Sequence, residues 1–140
     1  PTLAPAPLDL TAMFWNWQGG FKFLRIDMVP TDRSEAGPKG WFLHLGSTMC
    51  DAASKTEAPT ACANSNRIEL RFDAFDAAKN SVVIDPAAVV AEAGLRVNAP
   101  ETSPGCMSFL KDADCTTVMP KLGLTYMALP AGTQSLVTLR

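Results

Sequence analysis

Charged residues are scarce in this chain, and basic clusters are absent. Charged side chains make up 19% of the 140 residues, the formal net charge is −2, and no two Lys or Arg residues are adjacent. A surface that binds a polyanion needs a concentrated basic stripe, so the composition excludes nucleic-acid binding as the main function. The chain also lacks an apolar run of the ~20 residues that span a bilayer. Apolar residues still make up 47% of the chain, enough for one folded domain with one core.

The residues needed for hydrolytic or blue-copper chemistry are also missing. The chain has one His and no G-x-S-x-G elbow, and a blue-copper site needs two His and a Cys thiolate. The paired carboxylates, such as Asp112 and Asp114, stand in turn-like sequence and are interpreted as turn and cap residues. We therefore predict that this chain is not an enzyme.

The cysteines indicate the compartment. Cys50, Cys62, Cys106 and Cys115 form an even set without a C-x-x-C pair, which argues against a zinc site. Four cysteines allow three connectivities. We favour Cys50–Cys62 with Cys106–Cys115, because each pair brackets a short, turn-rich stretch. Two such disulfides predict an oxidising compartment, the periplasm or the outside of the cell.

Alternating and β-branched segments predict about five strands. They lie at residues 21–28, 41–45, 66–72, 81–84 and 135–139. The clearest is 66–72, in which Ile68, Leu70 and Phe72 alternate with charged residues. In the strand predicted at 21–28, the alternation of apolar and polar residues slips by one residue between Phe23 and Leu24, which indicates a bulge or burial on both faces.

Two short helices are predicted in the connections. Asp85 and Pro86 are typical of an N-cap followed by Pro at the first helical position, and Gly94 ends that helix. A second helix is predicted from Asp112 or Asp114 to residue 122. The fold class is therefore mostly β, an antiparallel β-sandwich with two short helices, stapled by two disulfides. Residues 1–140 are read as a single domain. Because five strands make a thin sandwich, we expect further strands, either from an N-terminal half outside this chain or from another chain.

Aromatic residues and Met are densest in MFWNWQGGFKF, residues 13–23. Trp15 and Trp17 lie two residues apart, beside Met13 and a Gly-Gly turn. By residue type, core packing is the favoured interpretation of this patch. The one imidazole, His44, stands mid-strand among apolar neighbours. On pattern alone, His44 is more often a structural residue than a metal ligand.

Four segments in order resemble motifs of the MbnP-like family, the four-Cys proteins of the metallo-mystery pair. MFWNWQGGFKFLRIDM is similar to the family's M-F-W-x-W-Q-x-G-[YF]-K-F segment, and FLHLGSTMC to F-H-x-G-S-T-G-C. SNRIELRFDAFD and GCMSFLKDADCTTVMPKLGL match a further strand and the closing segment. The resemblance runs from about Leu8 to Leu124, and Met49 departs from it where the family usually has Gly. Family members also carry an N-terminal half that has no counterpart here.

The resemblance implies a methanobactin-associated, copper-binding protein of the periplasm. Its expected partner is an MbnH-like di-haem cytochrome c peroxidase that oxidises a Trp to kynurenine. On this reading His44 is the best copper ligand, Met13 is a soft second candidate, and Trp15 or Trp17 is the oxidation target. The alternative is a secreted β-domain with a structural, assembly or adhesion role, without metal and with intact Trp.

Overall fold

The computed structural model describes residues 13–15, 20–31, 40–54, 57 and 59–140. In this part the chain is mostly β, as predicted, with short helical connections. The strands are β1 Phe14–Trp15, β2 Gly20–Met28, β3 Trp41–Gly46, β4 Thr48–Asp51, β5 Ala61–Asn64, β6 Val82–Ile84, β7 Gly105–Cys106 and β8 Val137–Leu139.

The largest sheet has the strand order β1-β2-β3-β7. Its β1–β2 and β2–β3 pairs are antiparallel, whereas β7 joins β3 in parallel. Strands β4 and β5 form one antiparallel pair, and β6 and β8 form another. The predicted strands at 41–45, 81–84 and 135–139 correspond to β3, β6 and β8, so these three predictions are confirmed.

Helical structure among the described residues is short. Helix α1 spans Pro86–Val90, and the Asp85 side chain accepts a hydrogen bond from the Ala88 amide at 3.2 Å, so the predicted N-cap is confirmed. The helix ends before the expected Gly94. The second predicted helix is instead two 3₁₀ helices, Ala113–Cys115 and Pro120–Leu122. Gly123, at φ 75°, ends the latter in the left-handed conformation that glycine accepts most readily.

The core lies between β3 and the C-terminal half of the described chain. Trp41, Leu43 and Leu45 point from alternate positions of β3 into this core and are at most 2% exposed. They form one cluster with apolar residues of α1, the 3₁₀ helices and the segment before β8. Its remaining members are Val89, Val90, Cys106, Cys115, Val118, Met119, Leu122, Tyr126 and Leu136. One apolar face of β3 therefore lies at the centre of this core.

Both predicted disulfides are present. Cys50–Cys62 links the β4–β5 pair, where the two residues lie directly opposite each other. Cys106–Cys115 ties β7 to the first 3₁₀ helix, and both of its cysteines are fully buried. Each disulfide closes a short local loop, as the spacing predicted.

The prediction of a strand at residues 66–72 is wrong. These residues belong to no strand, although their side chains keep the predicted alternation: Ile68 and Phe72 are partly buried, while Arg67, Glu69 and Arg71 are exposed. Alternation reports which side chains face the core, but a strand also needs a hydrogen-bonded neighbour, and the described residues supply none.

Candidate functional site

The β2–β3 register separates a core face from a polar face. Leu24, Ile26 and their partners on β3 point into the core. The intervening residues, Arg25 opposite His44 and Asp27 opposite Phe42, therefore share the other face. The single imidazole of the chain thus lies among charged groups that the sequence pattern did not assign to a site.

A bulge extends this polar face toward β1. The register shifts between Lys22 and Leu24, which leaves Phe23 as the extra residue of the bulge. Without that residue, strict alternation would place Lys22 on the core side with Leu24. Lys22 instead pairs opposite Gly46 and interacts electrostatically with Arg25, Asp27 and His44. The phase slip noted in the sequence is therefore a confirmed bulge, and it brings a fourth polar side chain to the site.

Asp27 connects His44 to Arg25. The Nε2 atom of His44 lies 3.2 Å from Oδ1 of Asp27, and Nε of Arg25 donates to both Asp27 carboxylate oxygens at 3.0 and 2.9 Å. The hydrogen bond from Arg25 is the main reason that the pKa of Asp27 is lowered, so this carboxylate is ionised at neutral pH. An ionised carboxylate only accepts hydrogen bonds. The bond to His44 therefore assigns the ring proton to Nε2.

The imidazole of His44 is neutral at neutral pH. Its side chain is 12% exposed, and burial is the largest of the effects that lower its pKa below the ordinary value. The positive charges of Lys22 and Arg25 also lower this pKa, whereas Asp27 raises it. With the proton on Nε2, the lone pair of Nδ1 is free of a proton. A carboxylate that fixes the tautomer in this way is the usual outer partner of a metal-binding His.

The main chain beneath His44 is held by the segment that follows β7. Ser108 Oγ donates a hydrogen bond to the His44 carbonyl at 2.7 Å. Leu43 pairs with Cys106 in the β3–β7 ladder, and Cys106 is fixed in turn by the buried disulfide to Cys115. The second disulfide therefore supports the backbone on which the imidazole stands.

Trp15 lies on the same side of the sheet as His44. Trp15 pairs with Gly20, which is two residues from Lys22, and the Lys22 ammonium lies 6.0 Å from the centre of the indole ring. Phe109 packs against the indole at 6.0 Å between ring centres. Trp15 is only 4% exposed, so within the described structure it is a packed residue. Lys22 thus lies near the Trp15 ring and also acts electrostatically on His44.

The remaining predicted residues are less well placed for this site. Met13 is half-buried, and Trp17 lies outside the described residues. Trp41, interpreted as core, is 1% exposed, and its Nε1 atom is a buried donor without a hydrogen-bond partner in the described structure.

The donor set fits part of a copper site. A neutral imidazole nitrogen suits copper, and no other His exists in the chain. Among the described residues, no group of three or more His, Cys, Asp or Glu comes together. If copper bound here, His44 would supply one ligand and Asp27 its orienting group, and the further ligands would have to come from elsewhere.

Comparison with known proteins decides the family. The MbnP family model matches residues 2–108. The chain belongs to the MbnP family. Among solved structures, MbnP from Methylosinus trichosporium superimposes with a TM-score of 0.79 at 30% identity, covering 98% of this chain and 52% of that chain. This chain therefore spans about half the length of that MbnP. Among curated proteins, none matches.

Family membership confirms the resemblance found in the motifs. MbnP proteins are not a known family of catalytic enzymes. Within the described residues, no helix has the length and apolarity to cross a membrane. The two disulfides agree with an oxidising compartment.

Proposed function

We propose that this chain is the His44-bearing part of a periplasmic, methanobactin-associated copper-handling protein. The observation that carries the proposal is the pairing of His44 with Asp27, because it leaves a neutral imidazole with Nδ1 as the available donor atom. Copper bound there would draw on this one nitrogen and on ligands from outside the described residues. Membership of the MbnP family supports the same assignment.

Copper affinity of three variants tests this proposal. His44→Ala should abolish most Cu(I) binding, measured by competition with a coloured Cu(I) chelator. Asp27→Asn keeps the imidazole but loses its ionised orienting partner, so we expect affinity to fall about 10–100-fold. Asp51→Asn, which removes an exposed carboxylate on β4, is the matched control and should change nothing. Unchanged affinity in His44→Ala would make His44 a structural residue and move the site elsewhere.

We further propose that Trp15 or Trp17 is oxidised to kynurenine by an MbnH-like di-haem peroxidase. The support is the M-F-W-x-W-Q-x-G segment together with Lys22, which lies near the Trp15 ring and acts electrostatically on His44. Two water molecules would supply two oxygen atoms to the indole, four electrons would pass to the partner's haems, which two equivalents of hydrogen peroxide oxidise, and four protons would be released, giving N-formylkynurenine. Hydrolysis then releases formate. The aryl amine and ketone so formed carry lone pairs that indole, a hydrogen-bond donor only, does not offer.

Mass spectrometry of protein from its native host tests the oxidation. Tryptic cleavage after Lys22 yields one peptide with both candidate residues, and kynurenine adds about 4 Da and N-formylkynurenine about 32 Da. Trp41 lies in a different tryptic peptide and is fully packed, so it serves as the internal control and should keep its mass. Unmodified Trp15 and Trp17 would favour the alternative of a secreted structural module, for which the burial of Trp15 is the supporting observation.

A further inference from the structure

The ammonium group of Lys22 lies over the ring of Trp15 in a buried setting. Its Nζ atom is 6.0 Å from the centre of the indole ring. Lys22 is 8% exposed and Trp15 is 4% exposed. Phe109 packs against the same indole, with 6.0 Å between the ring centres. Because both residues are buried, water screens the charge of Lys22 only weakly at the indole.

The strand pairing places Lys22 beside this indole. On β3, Lys22 pairs with Gly46, which has no side chain to lie next to it. On the other side of β2, Gly20 pairs with Trp15. Gly20 and Lys22 are two residues apart, so Lys22 lies on the same side of the sheet as Trp15 and is its diagonal neighbour. The contact therefore follows from the register of the sheet.

No carboxylate contacts this ammonium group within the described part of the chain. Lys22 forms neither an ion pair nor a hydrogen bond there. Asp27 raises the pKa of Lys22, but burial and the positive charge of Arg25 lower it more. The Asp27 carboxylate itself accepts hydrogen bonds from Nε of Arg25 at 3.0 and 2.9 Å. The positive charge of Lys22 therefore acts on the indole without a contacting counter-ion.

A cation in this position opposes the loss of an electron from the indole. The face of a neutral indole attracts an ammonium group, so Lys22 stabilises Trp15 in its reduced form. When one electron passes from Trp15 to an oxidant, the ring becomes a radical cation, which later releases its N–H proton to solvent. Until that proton leaves, the ring and Lys22 repel each other. Attraction before the step and repulsion after it both raise the potential at which Trp15 is oxidised.

We propose that Lys22 determines how strong an oxidant Trp15 requires, so that weak one-electron oxidants leave this residue intact. Lys22 is then a specificity-determining residue that acts through its charge. The biological meaning of this inference rests on the proposed oxidation of Trp15 by a peroxidase. The electrostatic effect itself belongs to the pair of residues and can be measured without that enzyme.

The distance between the two groups gives the size of the effect. At an effective dielectric constant of about 20, repulsion between unit charges 6.0 Å apart changes the equilibrium constant of electron transfer about a hundredfold. If half of this free energy is expressed in the transition state, the rate of oxidation changes about tenfold.

Photo-oxidation of charge variants tests the inference. Light and a cobalt(III) quencher generate ruthenium(III) tris(bipyridine), a one-electron oxidant, and tandem mass spectrometry follows the loss of unmodified Trp15 relative to Trp41. Lys22→Met removes the charge and should speed the oxidation of Trp15 about tenfold. Lys22→Gln, a second neutral variant, should behave in the same way. Lys22→Arg keeps the charge and should stay within about twofold of the unmodified protein.

A further variant controls for attraction of the cationic oxidant to the protein. Lys79→Met makes the same change in net charge at a side chain that is 80% exposed, and the rate should stay within about twofold of the unmodified value. Near-ultraviolet circular dichroism of each variant checks that Trp15 remains packed.

The peptides and the decisive outcomes are as follows from the sequence. The tryptic peptide ends at Lys22 in the unmodified protein and at Arg25 in the neutral variants, and fragmentation separates Trp15 from Trp17 in both. An unchanged ratio of Trp15 to Trp41 oxidation in the neutral variants, or equal acceleration in Lys22→Arg, would overturn the inference. Intact Trp15 in protein from the native host would instead contradict its proposed oxidation by the peroxidase and would leave this electrostatic result standing.

Discussion

The two disulfides should contribute unequally to stability, although their loops are of similar size. Cys50–Cys62 has a sequence separation of 12 and Cys106–Cys115 a separation of 9. For loops of this size, the restriction of the unfolded chain stabilises the native state by about 3 kcal/mol in each case. On loop entropy alone, replacing either pair with Ala should have nearly the same cost.

Burial separates the two cases. Cys106 and Cys115 are fully buried in the main core cluster, whereas Cys50 and Cys62 are only partly buried. Removing a sulfur from a packed core costs about 1 kcal/mol more per site in lost contacts and residual cavity. We therefore expect a loss of about 5 kcal/mol for Cys106→Ala/Cys115→Ala and about 3 kcal/mol for the other pair.

Urea unfolding monitored by circular dichroism measures this difference in the free energy of unfolding. In thermal unfolding, a loss of 1 kcal/mol lowers the melting temperature of a chain of this size by about 4 °C, so the melting temperatures of the two double variants should differ by about 8 °C. The NMR signal of His44 provides a second measurement and should shift in Cys106→Ala/Cys115→Ala. The reason is that Cys106 lies in the ladder beside β3 and that Ser108 donates a hydrogen bond to the His44 carbonyl. Equal losses, or a larger loss for Cys50→Ala/Cys62→Ala, would refute the argument from burial.

Four further substitutions test the site and the residues that support it. Gly105→Ala should cost more than about 3 kcal/mol in urea unfolding, because Gly105 has φ +80° and an added Cβ would lie 2.2 Å from the Phe42 carbonyl oxygen. Tyr126→Phe should cost about 1–2 kcal/mol, since the buried hydroxyl donates to main-chain carbonyls, one of them at 2.8 Å. Asp27→Asn should lower the pKa of His44 further in an NMR titration, because Asp27 raises it. The pKa of His44 in the folded protein lies below its unfolded value of about 6.5, so the free energy of unfolding should fall as the pH drops below that value. This fall should be smaller in His44→Gln, which has no imidazole to titrate.

The local features of the fold could be read from the sequence because short-range chemistry determines them. Asp85 caps α1 through an amide three residues away, and each disulfide closes a loop of nearby residues. The bulge at Phe23 was visible because one extra residue reverses the alternation of every residue before it. His44 stood out as a candidate because it is the only imidazole.

The partners of His44 could not be read in the same way. Asp27 lies 17 residues from His44, and it reaches the imidazole only because β2 and β3 pair in one particular register. Lys22 reaches the same face because of the bulge, and its position over Trp15 depends on β1 pairing with β2. None of these long-range contacts has a signal in the spacing of single residues.

The sequence by itself determined the mostly β class, the family and the identity of the single imidazole, and it favoured the disulfide pairing that the structure shows. The tertiary structure decided which side chains surround that imidazole, that Trp15 is packed beneath Phe109, and that residues 66–72 have no strand partner among the described residues. The physical reason is the same in each case. Propensity and alternation report how one segment prefers to bury its side chains, whereas hydrogen-bonded pairing and electrostatic environment depend on which distant segments meet it.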